Sequence, residues 1–256
     1  MTLKHSVRRL IRRLTGHEIE GLDSGAYAIV PAKRLAEAWY SYRVQLQGIL
    51  RRFGIDLVID VGANEGQFAK SLRKFYSGDI VSFEPVSAPF TALQQAAASD
   101  PRWTVYNLAI GNENAAQTIH VSQDTVFSSL LASNDYCADR FGPQALGTRD
   151  ESISVRRLDE LLDGLQPRKD RRIFLKMDTQ GYDVNVFRGL GDKLPRVLAM
   201  QSEVSLIPIY DDMPRWTESL EIYERAGFGV VGLYPVTRDQ GCIIEYDCLL
   251  QRRMPA

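Results

Sequence analysis

A doubly wound α/β domain is the fold that this 256-residue sequence predicts. Three observations carry it. From residue 55 onward, short apolar runs alternate with amphipathic stretches of about ten residues; the first run ends in a glycine-rich turn, and the second ends in a glutamate. Strands alternating with helices of that length imply right-handed βαβ units, a mainly parallel sheet and helices on both of its faces.

The elements follow in order. Residues 1–17 place Leu3, Val7, Leu10, Ile11 and Leu14 at helical spacing, with Lys4, Arg8, Arg9, Arg12 and Arg13 on the other faces. Gly21, Ser24 and Gly25 predict a loop, and Pro31 to Phe53 a second helix stopped by Gly54. Residues 1–53 are therefore read as a helical extension and 54–256 as the α/β domain. Within that domain the pattern predicts strands at 55–61, 80–83, 103–110, 173–177 and 197–200, with helices at 67–76, 88–98, 158–165, 183–190 and 218–226. Residues 115–155 read as hairpin and loop, with strand patches at 117–121 and 152–155. The last two strands, 228–233 and 243–251, have no helix between them and are expected to pair antiparallel at one edge.

Composition narrows the class. The chain has 31 Lys and Arg against 32 Asp and Glu, which argues against a dedicated duplex-nucleic-acid binder. The average conceals an asymmetry: residues 1–17 hold five of the basic residues and no acid, so the remainder carries 26 basic against 32 acidic residues. The basic segment has three readings: docking on an anionic membrane surface, packing in a homodimer or over the active site, or a solvated helix. No apolar run is long enough for a membrane span, and no secretory leader is expected. Cys137, Cys242 and Cys248 form no CxxC pair and read as reduced thiols of a cytoplasmic protein.

The segment DLVIDVGANEGQFAKSL, residues 56–72, is the most informative. A strand runs through Asp60 into Gly62-Ala63-Asn64-Glu65-Gly66, where glycines allow a sharp turn and close approach to a ligand. A dinucleotide fingerprint needs GxGxxG; Asn64 stands where its central glycine belongs, which weakens a nicotinamide-dependent oxidoreductase reading. Glu84 lies 22 residues after Gly62, where a carboxylate can accept both hydroxyls of a ribose; a plain strand-end acid is the competing reading. Asp60 either orients the turn or holds a ligand amine. Asn107, at the end of the third strand, either meets a nucleoside or shapes a turn.

The motifs IDVGANEGQFA, SFEP, YNLAIGN, FSSL, VRRLDEL and LKMDTQGYDVNVFRG, in this order, resemble the FkbM family of S-adenosylmethionine-dependent methyltransferases; SEVSLIPIYDDMP, GFGVVGLYPV and DCLLQRR resemble one branch of it. The resemblance spans roughly residues 54–252. It implies a Rossmann-like class I methyltransferase fold, with a seven-stranded sheet whose last strand is antiparallel. It also implies S-adenosylmethionine at the carboxyl ends of the first strands. Asp60, Gly62, Asn64 and Gly66 would surround the methionine part, Glu84 the ribose, and Asn107 with Ala109 the adenine. Ser128 and Ser129 match a serine pair near the cofactor, and Asp178 faces the transferred methyl. Gln180 stands where many relatives have an acid.

Methyl transfer to a hydroxyl needs a base. His5 and His17 lie in the extension, and the alternation around His120 turns it from the core, so a carboxylate is expected. Asp178 and Glu203 are the candidates for base or substrate orientation, and with Asp247 they could hold a divalent metal. MDTQGY stands where methyltransferases acting on nucleobase amines commonly carry an NPPY-like tetrapeptide. That favours an oxygen acceptor; by resemblance, this is a hydroxyl of a sugar, glycolipid or related small molecule. Tyr182, Tyr210, Trp216 and Tyr234 are candidates for stacking on sugar faces or for packing. A non-catalytic cofactor-binding scaffold is the remaining alternative.

Overall fold

The computed structural model describes residues 17–21, 27–165 and 170–253, with side chains from residue 42 to 164 and from 170 onward. The basic segment 1–16 lies outside the described residues. Strands β1 (His17–Gly21) and β2 (Tyr27–Pro31) form an antiparallel hairpin, where the sequence reading expects helix and loop. Pro31 ends β2, and helix α1 (Ala32–Arg52) follows at once. Leu46, Ile49 and Leu50 of α1 are buried with the main sheet's residues, so the helix is packed into the core rather than standing off it.

Next in the chain come β3 (Leu57–Val61), α2 (Gln67–Leu72), β4 (Asp79–Phe83), α3 (Ser87–Ala97) and β5 (Trp103–Tyr106). The single strand expected over 103–110 is broken. Asn107 Nδ2 donates to the carbonyl oxygens of Glu84 and Pro85, each at 2.9 Å, and the chain leaves the sheet. It enters a second one made of β6 (Ala109–Gly111), β7 (Ala115–Ser122) and β8 (Gly147–Arg157), with α4 (Asp135–Phe141) between the last two. Helix α5 (Leu158–Leu165), β9 (Ile173–Met177), α6 (Asp183–Arg188), β10 (Val197–Ser205), α7 (Trp216–Arg225), β11 (Phe228–Asp239) and β12 (Cys242–Arg252) complete the order.

The main sheet runs β11-β12-β10-β9-β3-β4-β5. Strands from β5 to β10 are parallel; β12 inserts antiparallel between β10 and β11. This is the sheet expected from the resemblance, and burial on both faces explains why its central strands read as continuous apolar runs. Leu57, Ile59 and Val61 face a core shared with α5, α6 and α7. Val58 faces the other, with Phe174, Ala199 and Leu249, under α1, α2 and α3.

On that second face the apolar pattern stops one register step before the strand ends. Ser82, Asp60, Lys176 and Gln201 are cross-strand neighbours on β4, β3, β9 and β10, and all four are buried. Among the described residues, no helix is long and apolar enough to cross a membrane.

Candidate active site

The carboxyl ends of the parallel strands open into a cavity of about 1050 Å³, large enough for a nucleoside-sized ligand together with a second molecule. One end lies over β3 and β4, the other over β9, β10 and β12. Tyr42, Arg43 and Leu46 of α1 form part of its wall.

At the first end the turn after β3 is left-handed at Gly62 (φ 73°), Asn64 (47°) and Gly66 (83°). Gly62 admits no side chain: a Cβ there would stand 1.9 Å from the Asp178 carbonyl oxygen. The turn brings the Asn64 amide onto Glu84 Oε2 at 2.8 Å, and the Val86 amide reaches Glu84 Oε1 at 2.8 Å. Each carboxylate oxygen thus keeps lone pairs free. Glu84 is 6% exposed; burial pushes its carboxyl up to about 7, while the Val86 and Asn64 amides and Lys176 pull the other way. Beside it, Val86, Leu108, Ala109, Ile110 and Ile119 make an apolar wall.

The residues expected around the cofactor divide in their placement. Gly62, Asn64, Glu84, Ala109, Ser128, Ser129 and Asp178 line the cavity. Gly66 does not; it packs on Trp103, whose ring lies 2.8 Å from where a Cβ would be. Asn107 is exposed and donates its side-chain amide to the strand-end carbonyls, the turn-shaping arrangement that the sequence reading set beside a nucleoside contact. Ser129 Oγ donates to the Gln180 carbonyl at 2.7 Å, and Ser128 Oγ accepts from the Ser122 amide at 3.2 Å; both hydroxyls hold loops together.

Asp60 is fully buried, is not among the residues lining the cavity, and pairs with Lys176, which the sequence reading missed. The Lys176 ammonium lies 3.1 Å from Asp60 Oδ1, 3.3 Å from Asp178 Oδ2 and 3.1 Å from the Gly62 carbonyl oxygen, to which it donates. Burial alone would push Lys176 down, but Asp178 and Asp60 outweigh it and hold the ammonium charged. Trp103 Nε1 donates to Ser82 Oγ (2.9 Å), which donates to Asp60 Oδ2 (3.2 Å). The polar row is thereby a connected chain from β5 to β9.

At the second end Asp178, Glu203, Glu245 and Asp247 all line the cavity. Glu203 and Asp247 are direct cross-strand partners. Burial first, then the Glu245, Asp178 and Asp247 carboxylates, raises Glu203 well above the usual range; burial and Asp178 push Asp247 up to about 7. Glu245 is raised by burial against hydrogen bonds from Thr237 and Ser205. Tyr42 on α1 donates to Gln201 Oε1 at 2.5 Å and is part of the cavity wall.

The sequence names Asp178, Glu203 and Asp247 as residues that could hold a divalent metal; among the described residues no group of three or more His, Cys, Asp or Glu is arranged to hold a metal ion. The Lys176 ammonium takes Asp178, and the Gln180 amide stands between Asp178 and Glu203.

Asp183, another residue the sequence did not single out, pins the second end from below. Its Oδ1 accepts the Thr179 amide (2.9 Å) and hydroxyl (2.5 Å); its Oδ2 accepts Ser202 Oγ (2.8 Å) and the Glu203 amide (2.9 Å). Of the candidate stacking aromatics, Tyr182 lines the cavity and is mostly buried, and Tyr210 is 1% exposed. Trp216 packs on the core, and the Tyr234 hydroxyl donates to Gln45. His120 pairs with Asp150 away from the cavity, as its strand alternation suggests.

A family model described as the methyltransferase FkbM domain matches residues 60–230, a span that includes the glycine turn and the buried acid after β4. The chain belongs to the FkbM methyltransferase family. A relative named Methyltransferase 1, from Beauveria bassiana (strain ARSEF 2860), is 28% identical over 147 residues, 53% of this chain; the match spans 59% of that relative's length. Among solved structures, an rRNA methylase from Streptococcus thermophilus is similar at a TM-score of 0.44 with 10% identity, covering 82% of this chain and 95% of that one. A TehB-like SAM-dependent methyltransferase from Corynebacterium glutamicum ATCC 13032 Kitasato gives a TM-score of 0.40 with 10% identity, covering 86% and 97%.

Proposed function

We propose that this FkbM-family protein is an S-adenosylmethionine-dependent O-methyltransferase acting on a hydroxyl of a sugar, glycolipid or related natural product. The observation that carries the reading is one cavity joining two chemically different ends. Glu84 with its free lone pairs lies beside an apolar wall at one end, and Asp178 among further carboxylates lies at the other. The donor set fits the cofactor. Glu84 would accept the ribose hydroxyls, the wall from Leu108 to Ile110 would take the adenine, and Gly62 to Asn64 would bound the methionine part. The match to a relative named Methyltransferase 1 supports the same class.

When bound, the cofactor supplies an electrophilic methyl group. The chain's own residues must then align an acceptor oxygen, take its proton and keep water out. Asp178 is at the end of β9, facing the cavity, with its carboxylate fixed by Lys176. It would orient the acceptor hydroxyl and receive its proton, a contribution of roughly 10²–10⁴-fold. Glu203 is the second candidate for that role. Tyr42 and Leu46 would cover the reacting end, where confinement of both partners contributes to rate. Carboxylates that accept hydroxyl donors suit a polyhydroxyl acceptor, and MDTQGY is not the signature of amine methylation at nucleobases.

The test is transfer of a labelled methyl group to a panel of glycosides and their deoxy and amino analogues. Label on oxygen, lost in the matching deoxy analogue, is expected. Label on nitrogen alone overturns the oxygen acceptor.

A further inference from the structure

Gln180 lies in the turn between β9 and α6 with φ +52°, a left-handed conformation that non-glycine residues rarely adopt and that often marks a functional constraint. Its amide is fully engaged. Nε2 donates to Asp178 Oδ1 at 3.2 Å and to Glu203 Oε2 at 2.9 Å, and Oε1 accepts the Tyr210 hydroxyl at 2.8 Å. Its backbone carbonyl accepts Ser129 Oγ at 2.7 Å. Asp178 and Glu203 each accept from Nε2, which leaves Oε1 on the opposite side of the amide. Tyr210, buried on the opposite side, shares its single hydroxyl proton between Gln180 Oε1 and the Phe127 carbonyl oxygen at 3.0 Å.

We propose that Gln180 is a positioning residue that holds Asp178 and Glu203 as one aligned pair at the acceptor end of the cavity, with Tyr210 fixing the direction of its amide. The inference deepens the O-methyltransferase reading and rests on it. The groups facing the pair come from four elements and a loop: Lys176 on β9, Asp60 on β3, Asp183 on α6, Glu245 and Asp247 on β12, and Tyr210. Lys176 supplies positive charge, while burial and the Glu245, Asp178, Asp247 and Asp183 carboxyl groups oppose ionisation of Glu203. A neutral double donor between Asp178 and Glu203 relieves that opposition without adding charge. A glutamate at this position would remove both donors and add another negative charge, whereas its protonated form has nearly the same shape and regains one O–H donor.

The substitution Gln180→Glu is therefore a reporter. We compare the full-length wild type with Gln180→Glu and Gln180→Ala in three measurements: kcat and KM at about pH 6 and about pH 8, S-adenosylhomocysteine affinity by calorimetry, and side-chain carboxyl titration by ¹³C NMR, with Glu203→Gln used to assign the signal. Gln180→Ala is expected to lower kcat about 10²-fold, the scale of a misplaced catalytic group, with cofactor-product affinity unchanged. For Gln180→Glu the ratio of kcat to wild type is expected to rise about tenfold from the higher pH to the lower, and the Glu203 signal to titrate at higher pH than in wild type. A ratio independent of pH, together with an unmoved Glu203 titration, overturns the proposal. The NMR titration needs no turnover: a wild type that transfers no methyl group counts against the O-methyltransferase reading, while the titration still decides the role of Gln180.

Discussion

Replacing Lys176 by methionine isolates the ion pair on which the cavity floor is built. Methionine keeps the length of the stem and its contact with Phe68, whose ring lies 5.6 Å from the ammonium, but removes the charge. The Lys176 side chain is 5% exposed, Asp60 0% and Asp178 36%. The cost is thus set by Asp60, which cannot turn to water; the Asp178 arm is open to solvent and adds little. Orphaning one partner of a buried pair costs about 3–5 kcal/mol. At roughly 2–4 °C per kcal/mol for a chain near this size, the melting temperature should fall by about 6–20 °C. Lys176 is held charged above its ordinary value, so its contribution is fully present below about pH 10 and the deficit is flat across neutral pH. The assay is urea unfolding of Lys176→Met, Asp60→Asn and the double variant. Asp60→Asn should rescue Lys176→Met to within about 1–2 kcal/mol of wild type, because the remaining amide can still accept from Ser82. A Lys176→Met variant within about 1 kcal/mol of wild type, or strictly additive single costs, refutes the reasoning.

Three further outcomes follow from the same geometry. Because burial raises Glu84 to about 7, and the ionised form accepts hydroxyls best, S-adenosylhomocysteine affinity should fall as pH drops through neutrality; calorimetry on Glu84→Gln should show a flat, weaker profile. Asp183→Asn turns one acceptor oxygen into a donor facing Ser202 and Glu203, or Thr179, and should cost about 2–4 kcal/mol in urea unfolding; an unchanged midpoint contradicts this. Asp178→Asn should abolish methyl transfer while cofactor binding largely survives, and wild-type turnover in that variant removes the base role.

The sheet was legible because buried parallel strands leave apolar runs, and because DVGANEG and SFEP mark where β3 and β4 meet the cavity. Glu84 was singled out because it ends the second strand at a fixed distance after the glycine turn, and it lines the cavity. Lys176 was not, because a single lysine inside IFLKM is absorbed into an apolar run; only the register beside Asp60 shows its partner. Glu245 and Tyr42 belong to elements far away in sequence. They reach the site once β12 inserts beside β10 and α1 lies over the sheet, and local patterning carries neither event. The sequence left Asn107 open because a strand-end asparagine looks alike whether it meets a nucleoside or shapes a turn; here its amide donates to the Glu84 and Pro85 carbonyls. The β1-β2 hairpin was hidden by a Gly- and Ser-containing stretch that reads as loop.

Titration calorimetry of the full chain with S-adenosylmethionine, S-adenosylhomocysteine and NAD tests the central claim most directly. Saturable heat with the first two, none with NAD, and loss of that heat in Glu84→Ala is the predicted result. No heat with either sulfur cofactor, or binding of NAD alone, would contradict the account.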